Sequence, residues 1–458
     1  MRLLNKNSHV HLVGIGGVSM SGIAKVLAQR GYKVSGSDLN ESKYIGLLSD
    51  YPIEIYIGHN KSNIKGADLI VKTSAVPDDN PEITAAKKAD IPILKRAEML
   101  AYLMKDKITV AVAGTHGKTT TTAMLAAVME KAKKEPAVMV GGYLEEISGN
   151  IADGRGDYFI TEADESDGSF FYFDPSILLL TNLELDHPDY YKDLENFKSV
   201  FKRFADKNDK KALVLYNSND KNLIEILRKR NRTLSFSAAE GSKKSNYSAR
   251  NIEYINKGSR FDFYEGEKLL MKLELSVPGE YNIYNALAAA AAASVMEIDK
   301  EYIKKALKEF SGVGRRFEVK GQLLDGKVDI VDDYAHHPTE IKSLLKAVKN
   351  MNYKKITAVF QPHRYSRTKR FFAEFAESFA DADFVYLTDI FSASENIKEP
   401  ISMKEFEEQI KNKSAVKCRH ISDFDKITEE IRSDLKAGEL VIMIGAGDVN
   451  LICDKLLK

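Results

Sequence analysis

The chain is predicted to be an α/β protein of several domains, and three observations carry that prediction. Its 458 residues are more than one hydrophobic core organises, so a chain of two to four domains is expected. Two strand–glycine turn–helix units occupy the first third, one beginning at Val10 and one at Ile108. Three apolar strands in the last third, 328–333, 357–360 and 440–444, each run into a charged or glycine-rich loop. Doubly wound sheets do this because their ligands bind beyond the carboxyl ends of the strands.

The second unit organises the rest. Ile108–Val112 is a short apolar run, followed by Gly114-Thr115-His116-Gly117-Lys118-Thr119-Thr120 and the helix-forming run Ala123–Glu130. Glycines let backbone N–H groups turn inward, and a helix N-terminus offers unpaired donors and positive dipole to an anion. Lys118 can then reach the β/γ-phosphates, and the Thr119 or Thr120 hydroxyl can ligate Mg²⁺. Val112 stands where the strict P-loop pattern has its first glycine, but strand and helix flank the loop as the motif demands. The expectation is a central P-loop-type ATPase domain.

The first unit, Val10–Val13 followed by Gly14, Gly16 and Gly17, leads through a helix into a strand at 32–37 that ends at Asp38. This is a Rossmann-like β-α-β turn, with Ser19 in place of the third glycine. Nicotinamide, flavin and nucleotide-sugar binders share such a turn. Gly58-His59, a strand at 68–72, Thr73-Ser74, Asn80-Pro-Glu82 and Arg96 follow. Small polar residues just past a strand sit where open α/β sheets bind ligands.

Beyond the phosphate loop, the strand-like 158–161 leads to Glu162, Asp164, Glu165 and Asp167. A carboxylate cluster after an apolar strand is placed as the second-strand Mg²⁺ ligand of loop-type nucleotidases. The strand at 176–182 delivers Asp186-His187, a second metal-site candidate. Residues 240–275 have the look of a β-rich insertion. Asn282 and Asn285 share one face of the first turn of an alanine-rich helix, where helix capping and ligand contact can coexist. Ser311–Phe317 is a glycine-hinged connector carrying Arg315 and Arg316, and it marks the last domain boundary. Past it lie Asp332-Asp333-Tyr334-Ala-His336-His337 and a cluster of His363, Arg364 and Arg367. Closely spaced arginines suit carboxylate or phosphate recognition.

In this order the motifs resemble those of the Mur ligase family over nearly the whole chain. They include Gly-Ile-Gly-Gly-x-x-Met-Ser-Gly at 14–22, Gly-Thr-His-Gly-Lys-Thr-Thr at 114–120, Glu-Ala-Asp-Glu-Ser-Asp at 162–167 and Asp-His at 186–187. The Asn282/Asn285 pair follows, then Gly-Arg-Arg-Phe at 314–317, Asp-Asp-Tyr-x-His-His-Pro-Thr-Glu at 332–340 and Gln-Pro-His-Arg-Tyr-Ser-Arg-Thr at 361–368. The resemblance implies a Rossmann-like nucleotide-sugar domain (1–106), a central ATP-binding domain (107–311) and a C-terminal doubly wound α/β domain (312–458) that closes and brings the amino acid. The implied reaction joins L-alanine to the lactyl carboxylate of UDP-N-acetylmuramate through an acyl phosphate. ATP and Mg²⁺ would be required.

By carry-over, Lys118 contacts the γ-phosphate and Arg316 closes on the phosphates. Thr119 or Thr120, Glu162 and His187 surround magnesium, and Asn282, Asn285, Asp333 and Tyr334 lie toward adenosine. Gly14, Gly16, Gly17, Asp38, His59, Thr73, Ser74 and Arg96 are expected at the nucleotide sugar, and His363, Arg364 and Arg367 at alanine or its product's carboxylate.

Composition narrows the alternatives. Acidic and basic residues nearly cancel, 66 against 67, so no bulk field points to nucleic acid or anionic membrane. The 2 cysteines have no metal-type spacing and fit a reducing compartment. No apolar run has the roughly 18 residues of a membrane span, and Gly14 and its neighbours interrupt any signal-peptide core. A bacterial cytoplasmic monomer or weak dimer acting on small molecules is expected. A family branch that attaches a ready-made tripeptide is disfavoured because it resembles Gly-Ile-Cys-Gly rather than Gly14-Ile-Gly-Gly17. A dehydrogenase has no use for the Gly-Lys-Thr-Thr loop, and a non-catalytic nucleotide sensor is separated by a substrate-dependent ATPase assay.

Overall fold

The computed structural model describes residues 4–458 except 6, 145, 146, 148, 167, 189, 208–210, 240–243, 394 and 396–399. Asp167, one of the four clustered carboxylates, therefore lies outside the described residues. Three sheets follow one another along the chain.

The first is parallel, with order β3-β2-β1-β4-β5, built from β1 (His9–Val13), β2 (Lys33–Asp38), β3 (Ile53–Ile57), β4 (Leu69–Lys72) and β5 (Ile93–Lys95). β1 is buried along its whole length, which is why it reads as an unbroken apolar run apart from its histidines. The strand order reverses between β1 and β4, and the Gly14–Gly17 turn sits at that switch point.

The central sheet has ten strands in the order β15-β14-β13-β12-β11-β10-β6-β9-β7-β8. They are β6 (Ile108–Ala113), β7 (Ala137–Leu144), β8 (Gly149–Ala152), β9 (Tyr158–Glu162), β10 (Ile177–Leu180), β11 (Leu213–Asn217), β12 (Thr233–Ser237), β13 (Tyr247–Ile255), β14 (Gly258–Glu265) and β15 (Lys268–Leu275). Strands β9, β6 and β10 lie side by side and parallel, so the acidic cluster, the phosphate loop and Asp186-His187 all emerge at one end. The 240–275 expectation needs correcting: its strands are an integral extension of the sheet rather than an insertion. β13 continues β12 in parallel, and β14 and β15 complete an antiparallel meander. Alternation explains it, because Phe261, Phe263, Met271, Leu273 and Leu275 face one way and join the central apolar core. Against this sheet pack the phosphate-loop helix Lys118–Lys131 and the alanine-rich helix Glu280–Val295.

The last sheet runs β16-β17-β21-β18-β19-β20, formed by β16 (Glu318–Leu323), β17 (Val328–Asp333), β18 (Lys355–Phe360), β19 (Phe384–Leu387), β20 (Lys417–His420) and β21 (Glu439–Ile444). The three strands legible in the sequence are its parallel centre, and β16 is an antiparallel edge. Among the described residues no helix is long and apolar enough to cross a membrane.

Candidate active site

A cavity of about 940 Å³ opens between the central and C-terminal domains. The phosphate loop forms its floor. Gly117 caps the loop helix at φ +80°, a left-handed conformation that only glycine adopts freely. A Cβ there would stand 2.3 Å from Asn285 Oδ1, so loop and alanine-rich helix meet at van der Waals limits. Thr121 Oγ1 donates to Asn285 Oδ1 (3.2 Å), and Asn285 Nδ2 donates to Asn282 Oδ1 (3.1 Å). Asn282 Nδ2 in turn donates to the Pro278 carbonyl (2.7 Å). The helix N-cap is Gly279, so neither asparagine caps it, and both line the cavity.

Lys118 folds back over the loop. Its Nζ donates to the carbonyls of Gly114 (2.7 Å) and Thr115 (3.1 Å) and to Glu165 Oε1 (2.8 Å). Burial alone would push its pKa down, but Glu165, Asp164 and Glu162 outweigh that and hold it above the ordinary value. Burial pushes the Glu165 carboxyl up to about 7 against the pull of Lys118. Its Oε2 is buried with no hydrogen-bond partner among the described residues.

Two groups of oxygen and nitrogen ligands adjoin the loop. Thr119 Oγ1 lies 3.2 Å from Glu162 Oε2, while Glu162 Oε1 accepts from Gly141 N at 2.5 Å. Asp164, Glu165 and His187 bring one ligand atom each within 4.8 Å of one another. Thr120, the other threonine expected at the metal, lines the cavity instead of meeting Glu162.

The C-terminal domain supplies the roof. Helix Pro338–Lys349 begins with His337 as N-cap and Glu340 three residues on in a capping box. Glu340 Oε2 accepts from His336 N (3.0 Å) and His337 N (3.3 Å), and its Oε1 meets His116 Nδ1 of the phosphate loop at 3.1 Å. Glu184 takes the other face of His116 (Nε2, 3.0 Å) and also accepts from Thr339 Oγ1 (2.8 Å). Burial disfavours charge on His116, but hydrogen bonds to Glu184 and Glu340 carry its pKa up to about 9.

Arg316 lines the cavity with its guanidinium over the Tyr334 ring, 5.1 Å from the centroid. Asp333 also faces the cavity, but its carboxylate is spent on the Phe317 (2.7 Å) and Ala335 (2.8 Å) amides, and burial pushes it up to about 6. Tyr334 is not among the cavity walls. Its ring stands against Arg315, Arg316 and His336, behind the cavity wall that Arg316 forms.

The proposed three-donor clamp also changes. Arg367 is 3% exposed and its guanidinium is committed to Asp186 of the central domain through Nε (3.1 Å) and Nη2 (2.9 Å). Burial would push the Asp186 carboxyl up, but Arg367 overrides it and holds the group far below the usual carboxylate range. Arg367 is thus a tie between domains, because an unpaired buried aspartate beside His187 would be costly. His363 Nδ1 lies 3.3 Å from Arg367 Nη1, its ring is stacked on Phe391, and burial with the Arg367 charge pushes it down to about 4. Arg364 is half-buried at the same seam, at φ +69°.

In the N-terminal domain, Gly16 N donates to Asp38 Oδ2 (2.9 Å), so Asp38 steadies the glycine turn from within. Gly14, at φ +86°, would place a Cβ 2.6 Å from Thr73 Cγ2. Ser74 is exposed, and Gly17 and Arg96 flank the starts of two helices. His59 is held by Ser37 and Glu82.

Family models match this chain from end to end: the Mur ligase family catalytic domain over residues 9–108, the Mur ligase middle domain over 112–293 and the Mur ligase glutamate ligase domain over 315–447. The chain belongs to the Mur ligase family. This Mur ligase is 43% identical to the UDP-N-acetylmuramate–L-alanine ligase of Clostridium tetani, over 98% of each chain. It is 42% identical to the ligase of the same name from Clostridium acetobutylicum, over 98% of this chain and 97% of that one. The crystal structure of the UDP-N-acetylmuramate-alanine ligase of Thermotoga maritima superposes with a TM-score of 0.81 at 30% identity, covering 98% of both. A murein peptide ligase from Psychrobacter arcticus shares the fold at a TM-score of 0.68 and 24% identity.

Glu184 and Glu340 are site residues of this Mur ligase to which the sequence assigned no role, and for Glu165 and Asp186 it suggested only a metal, not the Lys118 and Arg367 partners they have. Asp186 and Glu340 sit inside the quoted motifs, but their partners lie 181 and 224 residues away. The cavity walls at Asn217, Asp220, Asn222, Phe236 and Lys257 come from strands, a loop and the start of the helix Lys221–Leu227, with no motif at all.

Proposed function

We propose that this chain ligates L-alanine to the lactyl carboxylate of UDP-N-acetylmuramate, with ATP converted to ADP and phosphate, as a step of peptidoglycan precursor synthesis. The observation that carries this function is the end-to-end similarity, above 40%, to ligases that bear this name. A carboxylate is a poor electrophile at neutral pH. Transfer of the γ-phosphoryl group of ATP to a lactyl oxygen makes an acyl phosphate. The alanine amine then attacks the carbonyl carbon, phosphate leaves with the electron pair of the C–O bond, and the nitrogen loses a proton.

Phosphoryl transfer is mostly positioning and charge neutralisation. Lys118 leaves Glu165 to meet the transferring phosphate, Arg316 approaches it from the roof, and Asn282 and Asn285 lie on the adenine side. Magnesium fits the ligands present: Thr119 with Glu162, and Asp164, Glu165 and His187 with the unpartnered Glu165 oxygen among them. When bound it neutralises charge on the phosphates. His363, Arg364 and Arg367 serve the alanine carboxylate, with Arg367 leaving Asp186 or acting through it, and the glycine turn, Asp38, His59, Thr73, Ser74 and Arg96 serve the nucleotide sugar. The same proposal places domain limits at 106/107 and 311/312 and the enzyme in the bacterial cytoplasm as a monomer or weak dimer, without nucleic-acid or membrane partners. The test is ATP turnover with UDP-N-acetylmuramate and, in turn, alanine, glycine, serine and the tripeptide. Turnover greatest with alanine is expected, and turnover with the tripeptide alone overturns the assignment.

A further inference from the structure

The N-terminal domain buries a carboxylate that neither the phosphate chemistry nor the domain seams use. Glu82 is 0% exposed. Asn80 caps its helix, accepting from Glu82 N at 2.9 Å and Ile83 N at 3.4 Å, so the backbone at Glu82 is fixed in the first turn. Its carboxylate gathers Ser37 Oγ (2.6 Å), Asn63 Nδ2 (2.6 Å), His59 Nδ1 (3.1 Å) and Asn60 N (3.3 Å). Its ion-pair partners among the described residues are histidines, His59 and, at 3.8 Å, the Nε2 of buried His11, with no lysine or arginine. Core packing alone would be as well served by an apolar side chain, since a buried charge is costly unless fully hydrogen-bonded.

What the network fixes is His59. The Nδ1–H is shared between Glu82 Oε2 and Ser37 Oγ (3.0 Å), which sets the tautomer and the ring plane. Among the described residues no hydrogen bond occupies Nε2. His59 follows the C-terminal end of β3, on the same sheet edge as the glycine turn after β1. Ser37 ties the two together, because its carbonyl accepts from Gly14 N (2.8 Å) and Ile15 N (3.0 Å) while its hydroxyl serves Glu82.

We infer that Glu82 is a positioning residue for the nucleotide sugar, holding His59 so that Nε2 meets the anionic part of that substrate beside the Gly14–Gly17 turn. The inference rests on the nucleotide-sugar assignment of the N-terminal domain made above. It is tested with His59→Ala, Glu82→Gln and the double variant, measuring KM for UDP-N-acetylmuramate, ATP and alanine alongside thermal unfolding. Each single variant is expected to raise KM for the nucleotide sugar about tenfold, the size of a charge-assisted hydrogen bond, with the other two KM values little changed. The double variant should be no worse than either single one, because Glu82 acts through His59. Ser37→Ala, which keeps the backbone link to the glycine turn, should shift the same KM and gives the answer if Glu82→Gln does not fold. If the effects of His59→Ala and Glu82→Gln multiply, or if Glu82→Gln or Ser37→Ala moves all three KM values alike, the positioning role is overturned while the sugar site stands. If His59→Ala leaves the nucleotide-sugar KM unchanged, the sugar-site assignment of His59 falls and the positioning role with it.

Discussion

The central domain is joined to its two neighbours in opposite ways. Toward the N-terminus the seam is apolar: Met20, Ile23 and Leu27 share one buried cluster with Ala137, Met139, Ile151 and Phe159. Gly22 lets the first helix approach so closely that a Cβ would lie 2.7 Å from Ile151 Cγ2, and a bidentate Arg30–Asp153 pair (2.9 and 2.6 Å) stands beside it. Toward the C-terminus the apolar core of the central domain reaches only as far as Val313 in the connector, and the clusters inside the last sheet hold no described residue of the central domain. The polar contacts there include Arg367–Asp186, His116–Glu340, Thr339–Glu184, Lys257–Asp329 and Lys346–Glu280. An apolar seam is insensitive to what binds nearby. A seam of charges answers to a polyanion placed between its halves, and polar domain interfaces are where relative motion is expected. On this contrast the C-terminal domain is expected to move against the central one, and the first two domains to move together.

The largest effect is expected from the floor of the polar seam. Lys118→Ala should keep the fold and cut ligation by about 10²–10³, the usual loss when a charge-stabilising donor is removed. A variant keeping more than about a tenth of wild-type turnover would take the loop out of the mechanism.

Next come the two seams themselves. Arg367→Ala strands a buried Asp186, at a cost of about 3–5 kcal/mol, and should appear as a C-terminal domain that melts or is proteolysed separately from the rest. Ile151→Ala opens a cavity in the apolar seam at about 2–5 kcal/mol and should lower the unfolding of the first two domains together. Identical unfolding profiles for the two variants would erase the contrast.

A smaller effect depends on pH. The His116 pKa is raised in the folded state to about 9, so its contribution to closure is complete below the unfolded value of about 6.5 and is lost as pH rises through about 9. Small-angle scattering should show the molecule opening over that interval, and His116→Asn should abolish the transition. The smallest effect is expected at Lys257→Met. That lysine is 44% exposed where it meets Asp329, and such pairs are worth about 0–1 kcal/mol. A larger loss would make the β13–β14 turn a principal clasp.

How much of this was legible in the sequence follows the range of the interactions. The phosphate loop and the glycine turn are local, so their residues announce a strand, a turn and a helix within a few positions of one another. The fold class followed from those units and from the strands that empty into polar loops. The meander 247–275 escaped because alternation declares a strand but not the sheet it joins. Arg367 looked like a ligand-binding donor for the same reason: nothing near it in sequence reveals that Asp186 claims its guanidinium.

The alanine-rich helix has a further consequence. Ala286 and Ala288–Ala293 are wholly buried between the sheet and the phosphate-loop helix. Alanine has no side-chain rotamer to change and loses no side-chain entropy on packing. The spacing between the phosphate cradle and the asparagines opposite it is therefore gauged by methyl groups that move only with the backbone. Such a gauge has no rotameric slack. An added methylene there displaces a whole helix instead of tilting one side chain, and the nucleotide would feel the error as a misfit along its full length.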